Sequence, residues 1–255
     1  MADVIRSVRI RRLALCGLTA VLAPTLGEPA QTAGPSLERK AEFVAFGGDV
    51  TKLLIVEDRS IVVAIGPYML YVWSIESGKL ISHRTVQYPE NRIRDVAVAP
   101  SGKVLAYLVS GEQSEVVFVS LDTGQRVDVG SGQTIAGPAG KPGAGSWRLP
   151  AAPRAGAAIP IPRSVGLKEK SAGQLASVAV AYSSGVIQVL DVAKTAVSTV
   201  NTDMTALREV TFNQQGTLAW VGANGYGTLN AEGKPANTPF PNSSAWLSDN
   251  QWVML

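Results

Sequence analysis

Histidine and cysteine each occur once in the 255 residues. Zinc centres of the common kind draw several ligands from those two types, so no metal is expected. His83 is then the one histidine open to acid–base work. It falls on a predicted outer strand, Ser82-His83-Arg84, and the chain has no Gly-x-Ser-x-Gly elbow to pair with it. We read it as a surface residue and assign no catalytic residue. Charged residues make up only 17% of the chain, and no long Lys/Arg run with interleaved aromatics is present. A surface that tracks phosphates needs such a run, so nucleic acid is excluded as a partner. Long apolar stretches are missing too. Leu13–Ala23 is 11 residues long, too short to cross a bilayer.

Nucleotide motifs fail on inspection, and no cofactor is expected. In Gly137–Gly145 a phosphate loop would need a glycine where Ile135 stands and Ser or Thr where Pro142 follows Lys141. Gly143-Ala-Gly145 starts a dinucleotide-like run, but Arg148 takes the place of the third glycine.

What the N-terminus does hold is a leader pattern. Arg6, Arg9, Arg11 and Arg12 precede the apolar stretch, and small residues follow through Gly27, Ala30 and Ala33. This reads as a secretory signal at 1–33, with no transmembrane segment left after its removal. The expected location is periplasmic or secreted. Against Asp3 and Glu28 the leader carries +2 of the net +3, leaving the rest near neutral. Cys16 lies inside the apolar run, and Leu15 occupies the position where a lipoprotein signal needs Gly, Ala or Ser. No disulfide is therefore expected.

Hydrophobic residues reach 46%, and 25 Gly and 15 Pro punctuate short apolar runs. The runs repeat. Ile93-Arg-Asp-Val-Ala-Val-Ala-Pro-Ser-Gly-Lys-Val-Leu-Ala-Tyr107 matches Leu207-Arg-Glu-Val-Thr-Phe-Asn-Gln-Gln-Gly-Thr-Leu-Ala-Trp-Val221 without a gap. Each reads as strand, tight turn, strand, with Gly102 or Gly216 supplying the positive φ of the turn. The recurring acids Asp95 and Glu209 are assigned a structural role, capping a strand end or pairing with Arg94 or Arg208. A second element runs Tyr71-Val-Trp-Ser-Ile-Glu-Ser-Gly-Lys-Leu-Ile81. It recurs at Val117–Val127, Ile187–Val197 and, more weakly, Tyr226–Ala236. Together they make four strands in about 40–46 residues, the period of a propeller blade. Such a sheet cannot cover both its own faces, and stacking blades buries them.

The expected fold is all-β, a β-propeller-like array of about four to five four-stranded blades in residues 34–255. Units are expected at 43–90, 91–174, 175–205 and 206–244, with a fifth begun at Ala245–Leu255. Either the N-terminal strands complete that fifth unit, or the chain is a fragment of a longer protein and leaves it unfinished. Residues 130–174 form a basic insertion rich in Pro, Gly and Ala. Its Lys141, Arg148, Arg154, Arg163, Lys168 and Lys170 face only Glu169. The third unit's missing strands are sought inside this insertion. Arg148, Arg154, Arg163, Lys168 and Trp147 are the candidate partner-binding residues. The bland alternative for the same segment is a solvated loop.

Val96-Ala-Val-Ala-Pro-Ser-Gly-Lys-Val-Leu-Ala106 resembles the inner strands of WD40-like propellers, and Tyr71-Val-Trp-Ser-Ile-Glu-Ser-Gly78 resembles their strand-turn signature. Trp73 is alone at the signature position, and no Gly-His dipeptide opens a unit, so the hydrogen-bond network of eukaryotic repeats cannot form. Divergent bacterial WD40-like, YVTN-like or quinoprotein-like propellers are the nearer comparison. The resemblance implies an exported non-catalytic scaffold that takes a protein partner on a propeller rim. Two other readings stay open. One is the propeller portion of a larger secreted enzyme, hydrolase or quinoprotein-like. The other is contact with an anionic polymer or envelope surface through the basic loop.

Overall fold

The computed structural model describes residues 50–86, 91–129, 131, 145–151, 160–213 and 215–240, and the backbone of two further strands at 244–247 and 251–254. The leader at 1–33, Cys16, Arg154 and residues 132–144 lie outside the described residues.

Four antiparallel four-stranded sheets follow one another along the chain. Blade 1 holds β1 (Lys52–Val56), β2 (Ile61–Ile65), β3 (Met69–Ser74) and β4 (Leu80–Thr85). Blade 2 holds β5 (Arg92–Val98), β6 (Val104–Ser110), β7 (Glu115–Ser120) and β8 (Ser146–Arg148). Blade 3 holds β9 (Pro162–Ser171), β10 (Gln174–Tyr182), β11 (Val186–Asp191) and β12 (Ala196–Asn201). Blade 4 holds β13 (Glu209–Phe212), β14 (Leu218–Val221), β15 (Gly225–Leu229) and β16 (Pro235–Pro239). A hairpin of β17 (Ser244–Leu247) and β18 (Gln251–Met254) follows. Within each blade the strands pair in chain order, so the first strand lies at one edge.

The 93–107 and 207–221 match is thus the β5–β6 and β13–β14 hairpins. Gly102 and Gly216 close them with φ of 69° and 74°, a region open to Gly at little cost. The expected unit boundaries shift at blades 2 and 3. Blade 2 ends at Arg148, and the first strand of blade 3 is Pro162–Ser171, inside the predicted insertion. Proline is tolerated there because Pro162 is the first residue of an edge strand, where no ladder N–H is needed.

The sequence of β6, Val-Leu-Ala-Tyr-Leu-Val-Ser, is buried throughout because both its faces are covered. Leu105, Tyr107 and Val109 meet Val63, Ile65, Leu70 and Val72 of blade 1. The alternate residues Ala106 and Leu108, with Phe118 and Trp147, meet Val178, Val180 and Tyr182 of blade 3. Blade 3 in turn offers Ala179, Ala181 and Ile187 to Leu207, Val210 and Trp220 of blade 4. Strand alternation therefore distributes one sequence between two interfaces. Fully buried side chains such as Leu105, Leu108 and Phe118 each contribute about 1.5–3 kcal/mol. The other face of blade 1 carries Val62, Ala64, Tyr71 and Trp73, with the two rings stacked 5.2 Å apart.

Polar groups within these interfaces are matched. The Tyr182 hydroxyl donates to Gln188 Oε1 at 2.7 Å, and Gln188 Nε2 donates to the Pro150 carbonyl at 3.3 Å. Burial pushes the Tyr182 phenol far above its ordinary value. The folded protein therefore keeps this proton at a pH where the unfolded chain releases it. The contribution is complete below about pH 10 and is lost as pH rises above it. Denaturant titrations should show a slope of stability against pH above pH 10 that is shallower in Tyr182→Phe. Equal slopes in the two proteins would count against the assignment.

Candidate functional site

The first strands β5, β9 and β13 lie side by side, and a single recurring position joins them. The Asp95 carboxylate accepts hydrogen bonds from the Ser164 hydroxyl at 2.7 Å and the Val165 N–H at 3.0 Å, and it pairs with the Lys52 ammonium. Ser164 Oγ in turn accepts from the Val210 N–H at 3.2 Å. Lys52 also donates to the Val96 carbonyl at 3.1 Å. Each blade is thereby tied to the next at one level. The acid at this position pairs across blades, and Arg94 bonds Ser110 instead, Nε to Oγ at 2.6 Å. The structural role expected of Asp95 is realised through a different partner.

Residues one position earlier form a second recurring set. In blade 2, Ile93 pairs with Val109 and Asp95 with Leu108, which leaves Arg94 as the extra residue of a β-bulge. In blade 3, Pro162 pairs with Tyr182 and Ser164 with Ala181, which leaves Arg163. In blade 4, Glu209 pairs with Val221 while the Arg208 N–H also donates to the Val221 carbonyl at 2.8 Å. In blade 1 the same doubled arrangement falls on Thr51, which donates to the Ile65 carbonyl opposite Lys52. In blades 2 and 3 the bulge takes the residue out of the ladder; Arg94 and Arg163 are exposed between buried neighbours, and Arg208 is exposed between buried Leu207 and half-buried Glu209.

These arginines share one end of the blades, because β5, β9 and β13 all begin there. Burial, then the neighbouring Arg163 and Arg92, lower the pKa of Arg94, while Tyr68 acts in the opposite direction. Arg92 lies over the Tyr68 ring, 5.7 Å from its centroid. No side-chain hydrogen bond or ion pair joins the Arg163 or Arg208 guanidinium to the described residues. The nearest acid in sequence is the half-buried Glu209.

The predicted residues separate. Arg163 is in the bulge set. Lys168 lies five residues further along β9, about 16 Å away at the opposite end. There its ammonium donates to the Gly216 carbonyl at 3.0 Å, a tie between blades 3 and 4. Glu169 makes the matching tie to blade 2, accepting from the Ser101 N–H and hydroxyl, both at 2.6 Å. Trp147 is 9% exposed and packs between blades 2 and 3, as a large aromatic on an inward-facing position does. Arg148, its neighbour on β8, is exposed at the same end as Arg94 but at the outer edge of blade 2. It lines a cleft of about 420 Å³ with Tyr107, Glu112, Glu115 and Arg126. Arg154 lies outside the described residues. His83 is exposed on β4, its ring 6.4 Å from that of Tyr71.

Sequence reading missed the set as a set. Pro162-Arg163-Ser164-Val165 is a third copy of Ile93-Arg94-Asp95-Val96 and Leu207-Arg208-Glu209-Val210. Proline at its start and serine in the acid's place concealed it. The detectable signal was the Arg two residues before Val.

No known family model matches the chain, and no curated protein does. Solved structures do. A chain of the mitotic checkpoint complex superposes with a TM-score of 0.54 at 18% identity, over 89% of this chain and 64% of that one. The RRP9 WD40 repeats give 0.47 at 12% identity, over 72% of this chain and 49% of that one. U3-55K gives 0.49 at 12% identity, over 75% and 52%. This chain thus spans less than two thirds of each of these solved chains. With four antiparallel meanders stacked face on face, the likeness shows the fold alone: an all-β array of four-stranded blades with a WD40-like β-propeller fold.

Proposed function

We propose that the protein is an exported, non-catalytic scaffold that holds a protein partner at the end of the blades where the first strands begin. The observation that carries this reading is the exposed arginine presented at the same position beside the start of the first strand in three consecutive blades, in a β-bulge in two of them. A rigid stack of sheets bearing variable end loops suits recognition rather than bond chemistry. The structural neighbour belongs to a multi-protein complex, which supports a scaffold role for the shared fold. Export rests on the leader pattern of Arg6–Arg12 followed by Leu13–Ala23.

The test is expression of the full chain with a C-terminal tag in its own cells, followed by fractionation, cross-linking and affinity enrichment. The expected outcome is an envelope or secreted product shortened at its N-terminus, with a protein partner at near-equal amount. A full-length cytosolic product would remove the export half of the reading. Recovery of no stoichiometric partner under several growth conditions would remove the scaffold half.

A further inference from the structure

We propose that Arg94, Arg163 and Arg208 together form an anion-binding site that takes the carboxylates of an acidic peptide segment of the partner protein. This deepens the scaffold reading and rests on it. Three observations converge. First, the position is not needed for holding the blades together. That task falls to the next residue in each strand, Lys52, Asp95 or Ser164, and to the Val N–H groups beyond. Blade 1 has Thr51 at the equivalent position, its N–H on the Ile65 carbonyl, so the backbone arrangement does not demand arginine.

Second, the like charges are gathered rather than dispersed. Arg94 and Arg163 lie close enough for Arg163 to disfavour the charged form of Arg94. Asp95, the carboxylate one residue away, is buried and already engaged by Lys52, Ser164 and the Val165 N–H, so it is not available to compensate them. Among the described residues no ion pair joins an acid to these guanidinium groups; such a cluster costs the fold some self-repulsion, and an incoming carboxylate relieves it. Each planar guanidinium can bind a carboxylate through two parallel N–H donors. Third, Arg92 and Tyr68 border the cluster and give a segment lying across it an apolar and cationic flank.

Charge distribution favours a short acidic segment over a polyanion. Basic residues concentrate in 1–33 and 130–174, and the remainder of the chain carries an excess of acid. The cleft beside Arg148 is lined by Glu112 and Glu115 as well as Arg126. A nucleic acid or an anionic membrane needs a broad basic surface, and here it would meet acids on leaving the arginines.

The experiment is fluorescence anisotropy of the full chain with a labelled Glu-rich peptide of about ten residues, at about 50 and 200 mM salt. Binding should weaken at the higher salt. Arg163→Glu should weaken it about tenfold or more, and Arg208→Gln should weaken it by a smaller factor. Lys79→Glu, the same charge change at an exposed turn of blade 1, should leave it within about twofold. Thermal melts confirm folding of each variant, and Arg208→Gln carries the test should Arg163→Glu fail to fold. Equal losses in Arg163→Glu and Lys79→Glu would overturn the site, since only long-range charge would then be acting. Tighter, arginine-dependent binding to single-stranded DNA or to vesicles rich in phosphatidylglycerol would overturn the peptide. Retention of the cellular partner by Arg163→Glu sinks this inference alone, whereas absence of any partner sinks the scaffold reading beneath it.

Discussion

Asp95→Ala is expected to lower the unfolding free energy by about 3 kcal/mol. One carboxylate serves three donors: the Lys52 ammonium, the Ser164 hydroxyl and the Val165 N–H. Alanine strands all three between blades. The Lys52 side chain retains 21% exposure and recovers part of its hydration, whereas Ser164 is 2% exposed and cannot turn to water. Orphaned buried donors cost about 1–3 kcal/mol each, so the unmade bonds dominate the loss of charge attraction. The melting temperature should fall by roughly 6–12 °C in a chain of this size. Asp95→Asn keeps an acceptor and removes the charge, and it should cost about half as much. The Arg59–Asp122 pair gives the contrast: Asp122 is 52% exposed, and Asp122→Ala should cost under about 1 kcal/mol. Urea denaturation of the three variants checks the order. A loss under about 1 kcal/mol for Asp95→Ala would show that the seam does not hold the blades.

The second large effect is expected at Gly185. Its φ is +85°, and a Cβ there would lie 1.9 Å from the Met204 carbonyl oxygen. That atom is backbone and cannot swing away. The same segment is fixed by Thr202, whose hydroxyl donates to the Gly185 carbonyl at 2.6 Å. Gly185→Ala therefore combines a left-handed backbone penalty with forced displacement of the loop into blade 4, about 3–4 kcal/mol in all. Gly78 isolates the first component. Its φ is +63°, with nothing within 4 Å of a Cβ, so Gly78→Ala should cost only about 1–2 kcal/mol. Denaturation midpoints that fall together for the two variants would refute the steric component.

The fold was legible because strand alternation is a local property. Val104–Ser110 shows no polar alternation, and a short apolar run with turn glycines before it already implies two covered faces. The turns were equally plain, since Gly102 and Gly216 sit where φ must be positive. Blade 3 was harder. Its first strand begins at Pro162 and follows a Pro/Gly/Ala-rich stretch, so composition pointed to a loop where pairing with β10 makes a strand. The site was legible only in pieces. Arg94 and Arg208 stand in the matched repeat and Arg163 in the basic segment, but a β-bulge has no composition of its own. It becomes visible only through register. Lys168 and Trp147 carried the right chemistry for binding, and packing turned both to the cohesion of the blades.

The seam between blades also has an order in time. From blade 2 onward along this seam the acceptor precedes its donor in the chain: Asp95 lies 70 residues before the Val165 N–H, and Ser164 lies 46 before that of Val210. A ribosome adding roughly 5–20 residues per second makes the first interval about 4–14 s long. During that interval Lys52 is the one partner already synthesised for Asp95. Were the blades to pack in the order of their synthesis, the Asp95 carboxylate would already be paired with the Lys52 ammonium when blade 3 arrived, and Ser164 would be in place to accept from Val210.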